Sequence, residues 1–279
     1  AVVPAGTVGP VAVTVTTVGG VSNGVVYTYV AAPTITSIVP NSGPLAGGNT
    51  VTLTGTNFTG ASAVTFGSTP ATSFTVVSGT QISAVVPARA AGSVQVTVTT
   101  VGGASNGVVY TYVAAPTLSS IVPNSGPAAG GNTVTLTGTN FTGASAVTFG
   151  TTAATSFTVV SGTQISAVVP ARAAGTAAVT VTTAGGTSNG VNYTHLPAPT
   201  LTQLTPNHGS FSGGNTITLT GTNFTGATAV RFGTKAATSF TVTSSTRIRA
   251  TVPSGTGVVA VTVTAPGGTS NGLSYTYHS

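Results

Sequence analysis

Aspartate and glutamate are absent from this chain, and so is every chemistry that needs a side-chain carboxylate. There is no carboxyl general acid or base, no carboxylate nucleophile and no acidic residue to orient a catalytic histidine. A calcium site, normally built from clustered carboxylate oxygens, lacks its usual ligands. Cysteine is also missing, which removes thiolate nucleophiles and disulfide stapling. Tryptophan, the broadest stacking platform, is absent too. No apolar run approaches the ~18 residues of a membrane-spanning helix. No segment of ten or more residues places apolar side chains at i, i+3, i+4 and i+7, so amphipathic helices are not expected either.

What remains is a β vocabulary. Valine and threonine dominate, with 38 glycines and 16 prolines to break and turn the chain. Branched side chains are stiff at χ1 and fit a pleated surface. Hydrophobic residues make up 40% of the sequence and the mean hydropathy is +0.45, enough for several small cores. Six Lys and Arg residues give a pI near 10.2, which reflects missing acids more than abundant bases. Solubility therefore rests on hydroxyls and amides, an uncommon arrangement for a free monomer.

The order of the chain is set by one stretch, NSGPLAGGNTVTLTGTNF at 41–58. It returns as NSGPAAGGNTVTLTGTNF at 124–141 and NHGSFSGGNTITLTGTNF at 207–224, each 83 residues after the last. Gly43-Pro44 and Gly47-Gly48 make a tight reversal, and Val51 and Leu53 alternate with threonines as a strand with one buried face. Three repeats result, 31–113, 114–196 and 197–279. In the first, strands are expected at 34–39, 50–55, 63–66, 72–77, 81–86, 94–100 and 108–113. Inward residues are expected at Ile35, Val51, Leu53, Val64, Phe66, Phe74, Val76, Ile82, Val96, Val98, Val109 or its neighbour, and Tyr110. Seven short strands with regular turn signals form the pattern of a β-sandwich. Residues 1–30 repeat the back end of the unit: VAVTVTTVGGVSNGVVYTYV at 11–30 aligns with VQVTVTTVGGASNGVVYTYV at 94–113. They read as the C-terminal half of a further repeat, a cut in a longer array or a half-domain completed by another chain. Proline stiffens the short linkers at 113–116 and 196–199.

The ordered set PxIxxIxPxSGPxxGGxxVxLxGxNF, AVxFG, TxIxAxVP and VxVxTxGGxSN resembles the IPT/TIG family of immunoglobulin-like domains, over the whole chain. The resemblance implies an all-β fold, tandem immunoglobulin-like sandwiches in a linear array. Such domains occur in bacterial surface and secreted proteins, plexin-type receptors and Rel-type transcription factors, so it implies a function only weakly.

Few residues are candidates for chemistry. His195, His208 and His278 fall at a strand end, a turn and the end of the last strand. His195 stands where the first repeat has Tyr112, so structural or exposed roles are expected, with no metal or cofactor site. Asn57, Asn140, Asn192 and Asn223 head N-x-Thr sequons and are possible glycosylation sites in a secreted protein. In the three Asn-Phe-Thr copies the asparagine is expected chiefly to close a turn by bonding its own backbone. Arg231, Lys235, Arg247 and Arg249 concentrate the positive charge in the third repeat and are candidate contacts for an anionic wall polymer or glycan. They are too few for a phosphate-tracking surface, so nucleic acid is not expected as a partner. Tyr27, Tyr110, Tyr193 and Tyr275 are expected in cores, as are Tyr29, Tyr112 and Tyr277, which argues against exposed sugar platforms. The sequence thus reads as a non-enzymatic extracellular or cell-surface structural protein, a stalk or filament subunit that self-associates or meets other surface proteins. The alternative is an adhesin or carbohydrate-binding accessory module.

Overall fold

The computed structural model describes residues 1–279 and contains strands without any helix. No helix is therefore long and apolar enough to cross a membrane. The chain divides into two compact units, Ala1–Ala115 with Ala184–Gly186, and Pro116–Thr183 with Thr187–Ser279.

The first unit opens with β1 (Gly9–Val13), β2 (Thr16–Thr17), β3 (Gly20–Val21) and β4 (Val25–Tyr29). Strands β1 and β4 pair antiparallel, matching Val11 with Tyr27. Repeat one follows: β5 (Thr34–Val39), β6 (Ser42–Pro44), β7 (Thr50–Thr56), β8 (Ala63–Phe66), β9 (Thr69–Pro70), β10 (Ser73–Ser78), β11 (Gln81–Val85), β12 (Gly92–Thr100), β13 (Gly103–Ala104) and β14 (Val108–Val113). A four-stranded sheet runs β10-β11-β7-β5 and a second runs β6-β14-β12-β8-β9, with β13 paired to β12. Every expected strand is present within two residues. The three short additions, β6, β9 and β13, come from turns too brief to show period 2.

Strand β6 has a structural role that its Ser-Gly-Pro sequence hides. It pairs parallel to β14, matching Gly43 with Tyr112, so the chain passes from one sheet to the other between β5 and β6, where the Val39-Pro40 bond is cis. Gly43 is required there: a Cβ would sit 2.1 Å from the Tyr110 hydroxyl and 2.9 Å from the Asn49 amide. Asn49 Nδ2 in turn donates to Tyr110 Oη at 3.0 Å, partnering a phenol buried in the core.

Between the sheets lie Ile35, Val51, Leu53, Phe58, Val64, Phe66, Ile82, Val96, Val98, Tyr110 and Tyr112, all buried. Phe74 and Val76, on edge strand β10, pack against this core while half-exposed. Of the pair at the start of β14, Val109 points out and Val108 is the one that packs inward. The outward faces are finished by hydroxyls in place of charges, as in the Thr65–Thr97 and Thr34–Thr56 contacts at 2.8 and 2.7 Å. The Ser-Asn-Gly of the last hairpin carries a further bond pair. Asn106 Oδ1 accepts from the Ile35 N–H, and its Nδ2 donates to the Ile35 carbonyl, both at 2.9 Å. This covers backbone groups of β5 that a bulge leaves outside the ladder.

The second unit repeats the plan twice, with sheets in the same strand order and cores built on Leu118, Leu136 and Phe149, and on Leu201, Leu219 and Phe232.

One expectation of a buried residue fails. Tyr27, aligned with the fully buried Tyr110, is 42% exposed, and its neighbour Tyr29 is half-buried. The β1–β4 ladder has no second sheet against it, so the face that is core in repeat one meets solvent here.

Candidate functional site

The sequence-predicted residues are not brought together into one site. Arg247 and Arg249 lie two apart on the exposed face of their strand, opposite Thr220 and Thr218 of the four-stranded sheet. Arg231 lies in the other sheet, opposite Thr262, with its Nη1 donating to the Thr234 carbonyl at 3.1 Å. Lys235 follows in that sheet, and its Nζ donates to the Ser254 carbonyl at 2.9 Å. Two positive charges thus face out from each side of the sandwich.

The sequon asparagines occupy two different settings. Asn57, Asn140 and Asn223 have positive φ, near 58–60°, a left-handed backbone that asparagine tolerates better than most residues. The turn is therefore real, but the amides of Asn57 and Asn223 do not close it on their own backbone. Asn57 Nδ2 reaches back to the Ala32 carbonyl at 3.2 Å, and Asn223 Nδ2 to the Ala198 carbonyl at 3.0 Å. Those carbonyls belong to the linkers that lead into repeats one and three. Glycines of the last hairpin press on the same linkers: a Cβ on Gly102 would lie 2.3 Å from the Ala31 oxygen, and one on Gly267 1.9 Å from the Pro197 oxygen. Asn192 is instead exposed on an outward strand face.

His208 and His278 are exposed, with ring centroids 5.4 Å apart. His195 is buried beside Phe149 and Tyr193, with no hydrogen-bond partner on either ring nitrogen. Burial, and then the nearby Arg172 guanidinium, hold its pKa below the ordinary value of 6.5. No cluster of three metal-ligating side chains exists.

The feature that the sequence reading missed is a cleft at one end of repeat three. In repeat one the loop after β11 carries Arg89, whose N–H donates to the Leu45 carbonyl at 2.8 Å. Its guanidinium folds down over Gly67 and donates to the Phe66 carbonyl and the Thr69 hydroxyl at 2.8 and 3.1 Å. Arg172 repeats this on Phe149. Repeat three keeps the backbone bond, Gly255 N to Phe211 O at 2.9 Å, but glycine replaces the arginine and the loop is one residue shorter. The space is left open as a cleft of about 390 Å³, floored by Phe232 and walled by Phe211, Tyr277 and Val259, with Lys235 at the rim. Only glycine fits at 255, since a Cβ would lie 2.5 Å from the Tyr277 ring. The Tyr277 hydroxyl gains a bond to the Pro253 carbonyl at 2.9 Å, whereas the Tyr112 hydroxyl beneath the arginine loop has no partner. The signal available was the alignment itself, in which Arg89 and Arg172 face Gly255.

A family model for the IPT/TIG domain matches residues 33–112, 116–195 and 199–277, one match to each repeated sandwich. The chain belongs to the IPT/TIG family. Curated protein sequences give no match. Among solved structures, the IPT/TIG chain is similar to the plexin A4 extracellular region at 22% identity and a TM-score of 0.44, covering 86% of this chain and 23% of that one. It is also similar to the Escherichia coli adhesin FdeC, at 20% identity and 0.33, over 89% and 98% of the two chains. A third is the surface glycan-binding protein SGBP-B of Bacteroides uniformis, at 22% and 0.28, over 68% and 56%. The chain spans 23%, 60% and 34% of the first three structures it matches. At such identities and scores the likeness carries nothing about ligand or partner.

Proposed function

We propose that this IPT/TIG segment is a non-enzymatic spacer of an extracellular or cell-surface protein, a stalk or a subunit of a filament or layer. The observation that carries the reading is the treatment of the linkers. In repeats one and three an asparagine amide bonds the entering linker, and a hairpin glycine lies against it, so the linker is fixed to the domain it leads into. A side chain spent on holding a connection serves spacing more directly than ligand capture. Near-identical repeats also offer equivalent surfaces, which favour repeated contacts between copies, and charged residues that would guard the sheet edges are scarce.

Small-angle scattering on the full chain and on a double variant, Asn57→Ala with Asn223→Ala, tests the spacer reading. The wild-type chain should scatter as a stiff extended particle, and the variant as a more flexible one. A wild-type profile already that of a freely jointed chain would overturn it. Sedimentation at high concentration tests assembly, since a monodisperse monomer removes the filament and leaves the stalk. Glycans, if the protein is secreted where they are attached, are proposed first for Asn192, because Asn57 and Asn223 use their amides on the linker. The adhesin or carbohydrate-binding alternative draws on a feature of the third repeat alone, its open cleft.

A further inference from the structure

We propose that the cleft of repeat three is a ligand site for an acidic saccharide, with Phe211 taking the apolar face of a sugar ring and Lys235 its carboxylate. It stands independently of the spacer reading.

Four changes converge on this one place, by comparison with repeats one and two of the same chain. Arg89 and Arg172 become Gly255, which removes the side chain that fills the space. One residue is lost from the loop. Leu45 and Ala128 become Phe211, and Thr69 and Thr152 become Lys235. The floor is unchanged, because Phe232 keeps the place of Phe66 and Phe149 in the core. The volume, about 390 Å³, falls in the roughly 300–1,000 Å³ range of small-ligand sites.

The lining selects the ligand. Phe211 is 44% exposed, the only phenylalanine in the chain with so much of its ring in solvent. An exposed ring of this kind suits a flat C–H face or another π-system. Thr234, Ser254 and Thr256 add hydroxyls at the rim, suited to a hydroxylated ring more than to a hydrocarbon. Lys235 supplies the charge. One of its ammonium protons goes to the Ser254 carbonyl, leaving donors for a ligand, and no side-chain carboxylate exists anywhere in the chain to neutralise it. An apolar ring face, hydroxyls and an unneutralised ammonium together describe a uronic-acid-type residue.

Tri-galacturonate, titrated into the full isotope-labelled chain at low salt and followed by NMR, tests this. The uncharged trisaccharide cellotriose serves as comparison. Perturbed resonances should map to Phe211, Gly233, Lys235 and Tyr277, while the equivalent positions of repeats one and two stay still. Phe211→Ala and Lys235→Thr restore residues that repeat two already carries at these places, so both should fold. Phe211→Ala should weaken binding about tenfold, the size of one lost ring contact. Lys235→Thr should abolish the preference for tri-galacturonate over cellotriose and its salt dependence. No perturbation of the cleft, equal perturbation of all three repeats, or affinity unchanged in Phe211→Ala would overturn the site. Equal affinity for cellotriose in the wild-type protein would overturn the acidic class. None of these results bears on the stiffness that tests the spacer.

Discussion

His195→Phe should stabilise repeat two and flatten its response to acid. His195 occupies the place of Tyr112 and Tyr277, fully enclosed, with edge-on ring contacts to Tyr193 at 5.0 Å and Phe149 at 6.1 Å. Neither ring nitrogen has a partner. A buried polar group left unpaired costs about 1–3 kcal/mol, so even the low end for two nitrogens gives about 2 kcal/mol. Phenylalanine removes both orphans. It is smaller than the tyrosine that the same position accommodates in the other two repeats, so overpacking should not offset the gain. For a domain of this size about 2 kcal/mol raises the melting temperature by roughly 10 °C.

The pH dependence gives a second, separate signature. A chain without side-chain carboxylates should be nearly indifferent to acid, because acid unfolding is mostly the protonation of paired carboxylates. His195 is the exception. Its folded-state pKa is lowered by burial and then by Arg172, so below pH 6.5 the unfolded chain takes up a proton that the folded repeat resists. Stability is complete above that value, falls as pH drops through the folded-state pKa, and then levels off. Calorimetry of the full chain at pH 7 and pH 4 separates the cases, since His208 and His278 are common to both proteins. Wild-type repeat two should melt lower at pH 4, and His195→Phe should melt alike at both. A variant no more stable than wild type at pH 7, or equally acid-sensitive, would show that the imidazole is not held neutral and unpaired.

Substitutions at two further positions probe the fold and its linkers. Gly55→Ala should destabilise repeat one by more than about 3 kcal/mol in urea unfolding, because its Cβ would lie 1.9 Å from the Thr34 carbonyl oxygen and 2.6 Å from the Phe58 ring; a change under about 1 kcal/mol would mean that β5 can move aside. Asn57→Gly should cost about 1 kcal/mol for the lost bond to Ala32, and Asn57→Ala about 1 kcal/mol more for the left-handed backbone. Equal effects would show that the backbone conformation is not the cause.

Local rules carried far in this protein because the information they need is local. Alternation placed Val51, Leu53, Val96 and Val98 inside, and Gly-Gly pairs marked the turns. The failures are non-local. Nothing within 42–44 says that three residues will pair parallel to a strand nearly seventy residues away. Tyr27 carries the same local pattern as Tyr110, and its exposure follows from the missing opposite sheet. The amide of Asn57 passes over its own turn for a carbonyl 25 residues earlier, which turn statistics do not contain.

The cleft shows the same limit in a form that repetition turns to advantage. What Arg89 does is invisible from its neighbours, since the carbonyl it caps is 23 residues back in the chain. Once its destination in repeat one is known, the alignment gives the consequence in repeat three: a shortened loop with glycine at that place has no guanidinium to lay over the turn after Phe232, and a cleft opens there. Arg231, Arg247 and Arg249 also distinguish repeat three, but they add charge to outward faces and leave the backbone as it is. The change at Gly255 alters shape. In a near-identical array every shared side chain answers to the shared fold, so a coordinated change of shape confined to one copy is where a separate requirement is written. Here that requirement converges on Phe211, Lys235 and the space between them.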